Sequence, residues 1–152
     1  MSDAGPTLLL VEDNPDDAEL ARRAFARCDL PHRLVWASDG EEALDYLFAT
    51  GAHAGRDKQE LPRAVLLDLK LPKLSGHEVL RRIRAEDATR RVPVIILTTS
   101  REERDIATSY DLGANSYVRK PVNFTQFVDA ARQLGLYWLA LNEPAPEDGR
   151  QP

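Results

Sequence analysis

Five short apolar runs alternate with segments of helical spacing, and this alternation limits the fold more than any other feature of the chain. The first run is Thr7–Val11, "TLLLV", which has no helical period. It breaks at "EDNPDD". There Asn14 suits a helix N-cap, Pro15 the first helical position, and Asp16 and Asp17 the first turn. Leu20, Ala21, Ala24, Phe25 and Cys28 then recur at helical spacing. "HRLVWA", His32 to Ala37, is the second strand. Ser38 and Glu41 form a capping box before a helix whose apolar face is Ala43, Leu44, Leu47 and Phe48. "RAVLLDL" is almost continuously apolar, as a central parallel strand buried on both faces requires. "HEVLRRIRAE" returns to helical spacing, with Val79, Leu80 and Ile83 facing inward. Pro93 precedes "VIIL", the fourth strand. Ser100 and Glu103 form another capping box, and Gly113 stops the helix that follows. "SYVRK" is the fifth strand. Pro121 breaks it, and Asn123 caps a last helix predicted to run to about Asn142.

Five βα units in series predict an α/β fold, a five-stranded parallel sheet with helices on both faces. The 152 residues suffice for one core. Residues 7–142 form one domain in this reading. A short arm (1–6) precedes it, and a charged, Pro-rich tail (143–152) expected to be disordered follows. A net charge of -5 disfavours nucleic acid as a partner. Cys28 is the single cysteine, which excludes an internal disulfide and favours a reducing, cytoplasmic setting. The N-terminal residues lack the basic region and apolar length of a signal peptide. No stretch approaches the roughly 20 apolar residues of a membrane span, so no membrane partner is expected.

In a parallel sheet of this kind the working site lies at the carboxyl ends of the strands. Those ends carry chemistry. The first strand ends in Glu12 and Asp13, the third in Asp68, the fourth in Thr98 and Thr99, and the fifth in Lys120. Asp68 interrupts an apolar run, and a buried charge is costly unless paired. Lys70, two residues on, is the obvious partner by sequence. The sheet instead brings Glu12, Asp13, Asp68 and Lys120 to one edge. Three clustered acids repel and raise one another's pKa values, and a hard divalent cation relieves this. A carboxylate among them can act as a nucleophile toward phosphorus, with the metal, a lysine and hydroxyls stabilising the transferring group. Each residue alone has a structural explanation. Glu12, Asp13, Asp16 and Asp17 read equally as acids at a helix N-terminus, and Lys120 as a solvated edge charge. The filled set does not read that way.

The motifs "LLLVEDNPDD", "LLDLKLPKLSG", "VIILTTS" and "SYVRKP", in this order and spacing, resemble the receiver domain of bacterial two-component response regulators. The resemblance spans Thr7 to about Leu134 and implies the flavodoxin-like (βα)5 receiver fold. It implies that Asp68 is the phosphoacceptor. Glu12 and Asp13 match the acidic pair that, with Asp68 and the Lys70 backbone carbonyl, holds Mg²⁺ or Mn²⁺. Thr98 matches the hydroxyl residue that turns toward the phosphoryl group, and Thr99 follows it with a backbone N–H. Lys120 matches the lysine that pairs with the phosphate, and before that with the aspartate. Tyr117 matches the aromatic switch that rotates inward when Thr98 moves. Pro121 matches a proline usually preceded by a cis bond, which predicts a cis Lys120–Pro121 peptide.

Two departures narrow the resemblance. The Thr50–Pro62 connection is long for a compact domain. The last helix is extended, and Leu134, Leu136, Tyr137, Trp138, Leu139 and Leu141 are too many apolar residues for one core-facing stripe. They are expected to form a homodimer interface. Both departures are similar to the regulators that serve bacterial phytochrome histidine kinases, which tend to be dimers. A signalling switch fed by a sensor histidine kinase is therefore expected, with output through protein contact, no DNA-binding output domain, and no enzymatic turnover beyond its own phosphorylation and dephosphorylation. An alternative is a phosphate sink or relay for another kinase. An aspartate-nucleophile phosphatase would need an acid where Lys70 stands, and a nucleotide-binding module would need a Gly-rich loop where the chain has acids. Finally, the Lys70 ammonium and Ser100, two residues past Thr98, are candidates for a gate on water reaching the aspartyl-phosphate.

Overall fold

The computed structural model describes residues 5–146. Residues 1–4 of the expected arm and 147–152 of the expected tail lie outside them. Five strands, β1 (Thr7–Val11), β2 (Arg33–Ala37), β3 (Ala64–Leu67), β4 (Val94–Thr98) and β5 (Ser116–Arg119), form one sheet in the order β2-β1-β3-β4-β5. Every pairing is parallel. Helices α1 (Pro15–Ala26), α2 (Gly40–Phe48), α3 (Gly76–Ala85), α4 (Glu103–Asp111) and α5 (Phe124–Gly135) follow the strands in turn.

Alternation along the strands splits the core in two. Leu9, Val11, Val65, Leu67 and Ile96 face α2 and α3, meeting Ala43, Leu47, Val79, Leu80 and Ile83. Leu8, Leu10, Leu66, Ile95 and Leu97 face α1 and α5, meeting Ala21, Phe25, Phe127 and Ala131. β3 and β4 are buried along their whole length. The near-continuous apolar character of their sequences follows from this.

Asn14 and Asn123 cap α1 and α5 as the sequence predicts, their side chains accepting from Asp16 and Asp17 and from Gln126. The two predicted capping boxes are displaced. Asp39, not Ser38, caps α2, accepting from the Glu42 N–H at 2.8 Å. Glu42 in turn accepts from the Ser38 N–H at 2.9 Å, so the box closes one residue later than expected. Asp39 also pairs with Lys73 at 3.3 Å, an attraction only the tertiary fold supplies. α4 has no side-chain cap on its terminal N–H groups, and Ser100 instead accepts from the Glu102 N–H at 3.2 Å. Gly113 has φ +102° and ends α4, as the sequence predicts.

The Thr50–Pro62 connection holds a 3₁₀ turn at Gly51–His53 and is organised by Arg56. Its guanidinium lies 4.2 Å from the Tyr46 ring centre and donates to the carbonyls of Tyr46, Asp57 and Glu60. α5 runs on as a π-helical segment, Leu136–Leu141. Leu139 is only 8% exposed and packs into the α1–α5 layer, with Leu134 and Trp138 half-buried beside it. Leu136, Tyr137 and Leu141 remain exposed. Leu139 therefore belongs to the core and not to the free apolar surface expected of it.

Candidate functional site

Strand order places the site. β1 and β3 are neighbours whose helices leave on opposite faces, which opens a crevice at their carboxyl ends. The backbone fixes the residues that line it. The Glu12 N–H donates to the Ala37 carbonyl at 3.0 Å, and the Asp68 N–H to the Val11 carbonyl at 3.1 Å. The Lys120 N–H donates to the Thr98 carbonyl at 2.7 Å. Each side chain thus stands one step past a ladder that holds its own backbone.

Glu12 and Asp68 are buried, while Asp13 is exposed. Carboxylate oxygens of all three lie within 4.8 Å of one another. The Lys120 ammonium donates to Glu12 Oε1 and, at 3.1 Å, to Asp68 Oδ2. Asp17 Oδ2 lies 3.5 Å from the same ammonium. Burial pushes the Glu12 carboxyl above its ordinary range, opposed by Lys120 and by the Asn14 N–H. Burial pulls the Lys120 ammonium down, but Glu12 and Asp68 outweigh it and leave its pKa raised. The lysine therefore stays charged between two acids.

Asp68 Oδ1 accepts from the Lys70 N–H at 3.3 Å, while the Lys70 side chain is exposed. Lys120, not the Lys70 ammonium, is the partner of Asp68. Thr98 is fully buried, and its Oγ1 has no hydrogen-bond partner among the described residues. Thr99 beside it is exposed. The Tyr117 hydroxyl donates to the Ser100 carbonyl at 3.1 Å. Ser100 Oγ donates to Asp105 Oδ2 at 2.6 Å, so this hydroxyl is engaged with α4 and not free over Asp68 as a gate would need. The Lys120–Pro121 peptide is trans, against the expected cis bond. The trans isomer is the favoured one by about 0.5–1 kcal/mol, and Lys120 reaches both acids from it.

Two residues that shape the site were not singled out from the sequence. The Trp36 indole donates to the Glu12 carbonyl at 2.7 Å. A Cβ on Gly76 would lie 2.2 Å from the Asp68 carbonyl oxygen and 2.6 Å from Leu69 Cα, so only glycine fits there. Glycine inside the first turn of a helix is unfavourable for propensity and signals such a close approach. Trp36, on an edge strand, carries no comparable signal.

Three oxygen donors converging within 4.8 Å, two of them buried, fit a small hard cation that keeps several waters. The open side, toward the exposed Asp13, leaves room for them.

A family model described as the response regulator receiver domain matches residues 8–132. The chain is 44% identical over 140 residues to the probable methanogenesis regulatory protein FilR2 of Methanothrix harundinacea, covering 91% of this chain and 88% of that one. The structure is similar to that of the phosphorylated cyanobacterial phytochrome response regulator RcpA, with a TM-score of 0.86 and 38% identity over 94% of this chain and 100% of that one. It is similar to the Mn(2+)-bound form of response regulator Rcp1 of Synechocystis, with a TM-score of 0.83 and 32% identity over 93% and 99% of the two chains. It is also similar to the bacteriophytochrome response regulator AtBRR, with a TM-score of 0.73 and 50% identity over 91% and 99%.

Proposed function

Because this chain belongs to the response regulator receiver family, we propose that it accepts a phosphoryl group from a sensor histidine kinase onto Asp68. The observation that carries this reading is the placing of Asp68 between the Lys120 ammonium and the acids Glu12 and Asp13. Glu12, Asp13, Asp68 and the Lys70 carbonyl would hold Mg²⁺ or Mn²⁺. When bound, the metal supplies positive charge to the equatorial oxygens of the transferring group.

The chain's own residues do the rest. An Asp68 carboxylate oxygen attacks phosphorus as the P–N bond of the kinase phosphohistidine breaks. The electron pair leaves with the imidazole nitrogen, which takes up a proton. Lys120 is within reach of both Asp68 and an incoming phosphate and offsets its charge. The partnerless Thr98 hydroxyl gains an acceptor when it turns toward the phosphoryl group, with the Thr99 N–H alongside. Tyr117 then rotates into the space Thr98 leaves, and α4, β5 and α5 shift. The exposed Lys70 side chain is free to lean over the site and slow water. Ser100 would join that gate only by releasing Asp105, to which its hydroxyl donates.

The likeness to RcpA and AtBRR supports a phytochrome-type kinase as the donor. FilR2 is equally a receiver relative, so a kinase of another sensory type is the second reading. The exposed Leu136, Tyr137 and Leu141 support a homodimer through the last helix. Among the described residues no helix is long and apolar enough to cross a membrane. A cytoplasmic place beside the kinase domain fits that reading.

The deciding experiment is labelling with phosphoramidate and Mg²⁺, read by intact mass. One phosphoryl group per chain is expected, none without metal, and none in Asp68→Asn. Persistent labelling of Asp68→Asn would sink the assignment. Lys70→Asn should change the dephosphorylation rate more than the metal affinity.

A further inference from the structure

α4 is fastened differently from its neighbours. α1, α2, α3 and α5 each bury several apolar side chains. Among the described residues, Ser109 is the one buried side chain of α4. Its Oγ donates to the Asp105 carbonyl at 2.7 Å. The hydroxyl proton is thereby committed, so Ser109 Oγ accepts from His77 Nε2, 2.9 Å away at the start of α3. The Nε2–H tautomer and the imidazolium both donate, so the contact survives protonation of His77. At the other end of the helix, Ser100 Oγ donates to the Asp105 carboxylate and accepts from the Glu102 N–H, and Tyr117 holds the Ser100 carbonyl.

Apolar burial is non-directional and tolerates a slide of the packed element. Hydrogen bonds weaken steeply with distance and angle. A helix held by them keeps one position until they break, and then moves.

We propose that His77 and Ser109 form a latch that holds α4 in its position before phosphorylation, which makes His77 a positioning residue for phosphoryl acceptance at Asp68. The proposal rests on the receiver reading. The path to the site is short, since Ser100 lies two residues past Thr98 and ties directly to Asp105. A Thr98 that turns toward a phosphoryl group draws on Ser100 and so on α4. Breaking the latch beforehand removes that cost from the phosphorylated state, and the population of the accepting conformation rises. One neutral hydrogen bond corresponds to a factor of about three to ten.

The test compares the full chain with His77→Phe, His77→Gln and Ser109→Ala. Hydrogen exchange of unphosphorylated protein is followed across α4, and the initial rate of phosphoramidate labelling is measured with saturating Mg²⁺. His77→Phe and Ser109→Ala should speed exchange in Glu103–Asp111 selectively and raise the labelling rate about three- to tenfold. His77→Gln keeps a donor and should fall close to wild type. Unchanged α4 exchange with labelling within twofold of wild type in both variants would overturn the latch. So would faster exchange in all helices without faster labelling in Ser109→Ala, the smaller change. If wild type is not labelled at all, the receiver reading fails, and selective α4 exchange still decides whether the latch exists.

Discussion

The Trp36 indole N–H donates to the Glu12 backbone carbonyl at 2.7 Å, although 43% of the Trp36 surface remains exposed. β2 is an edge strand, and its ladder with β1 ends at the pair Val11 and Ala37. The indole carries that ladder one residue further and fastens the turn that presents both Glu12 and Asp13.

Trp36→Phe should therefore weaken divalent metal binding about three- to tenfold, the equivalent of one hydrogen bond. Mn²⁺ titration followed by electron paramagnetic resonance measures this without any phosphoryl chemistry. Thermal stability should fall by about 1 kcal/mol or less.

Gly76→Ala should cost roughly 1–3 kcal/mol, because the added carbon meets backbone atoms that no rotamer change can clear. The displaced Asp68 carbonyl should also slow labelling of Asp68. Urea unfolding and labelling on the same sample read both effects.

Asp39 links α2 to the loop carrying Lys73, and its pH response follows from sign alone. Its carboxyl is held below the ordinary value of 3.8 first by the Glu42 N–H, against the opposing effect of burial, and then by Lys73. A depressed folded pKa contributes stability that is complete above 3.8 and is lost as pH falls through the folded value. Asp39→Ala should cost about 1 kcal/mol at neutral pH, and the difference from wild type should shrink in unfolding curves taken below pH 3.8.

The last helix separates core from surface within a few residues. Leu139→Ala should cost about 2–5 kcal/mol with no change in oligomeric state at native conditions. Tyr137→Asp should change stability by about 0.5 kcal/mol or less while shifting the light-scattering mass from dimer to monomer. A wild-type mass already that of a monomer at tens of micromolar would remove the dimer.

The sheet and the site were legible in the sequence for one reason. Strand-end residues in a parallel fold need only their own strand to be located; Glu12, Asp68 and Thr98 each follow an unmistakable apolar run, and Lys120 ends the shorter, mixed SYVR strand. What depended on contacts between elements was not legible. Asp39, not Ser38, stands at the N-cap of α2, where Lys73 also reaches it from another loop. Leu139 is buried four residues after Gly135 and eight after Ala131, a helical spacing that the apolar crowding of this segment obscures. Lys120 pairs with Glu12 as well as with Asp68, a choice made by packing at the crevice. Arg56 carries no signal in the sequence, because its role rests on carbonyls and a ring that the fold brings to it.

That connection enters the sheet at the amino end of β3, the edge opposite Asp68. A Cβ on Gly55 would meet nothing within 4 Å. The turn beside Arg56 is thus a natural place to build in a peptide tag or fluorescent reporter, at the rim opposite the proposed phosphoacceptor Asp68.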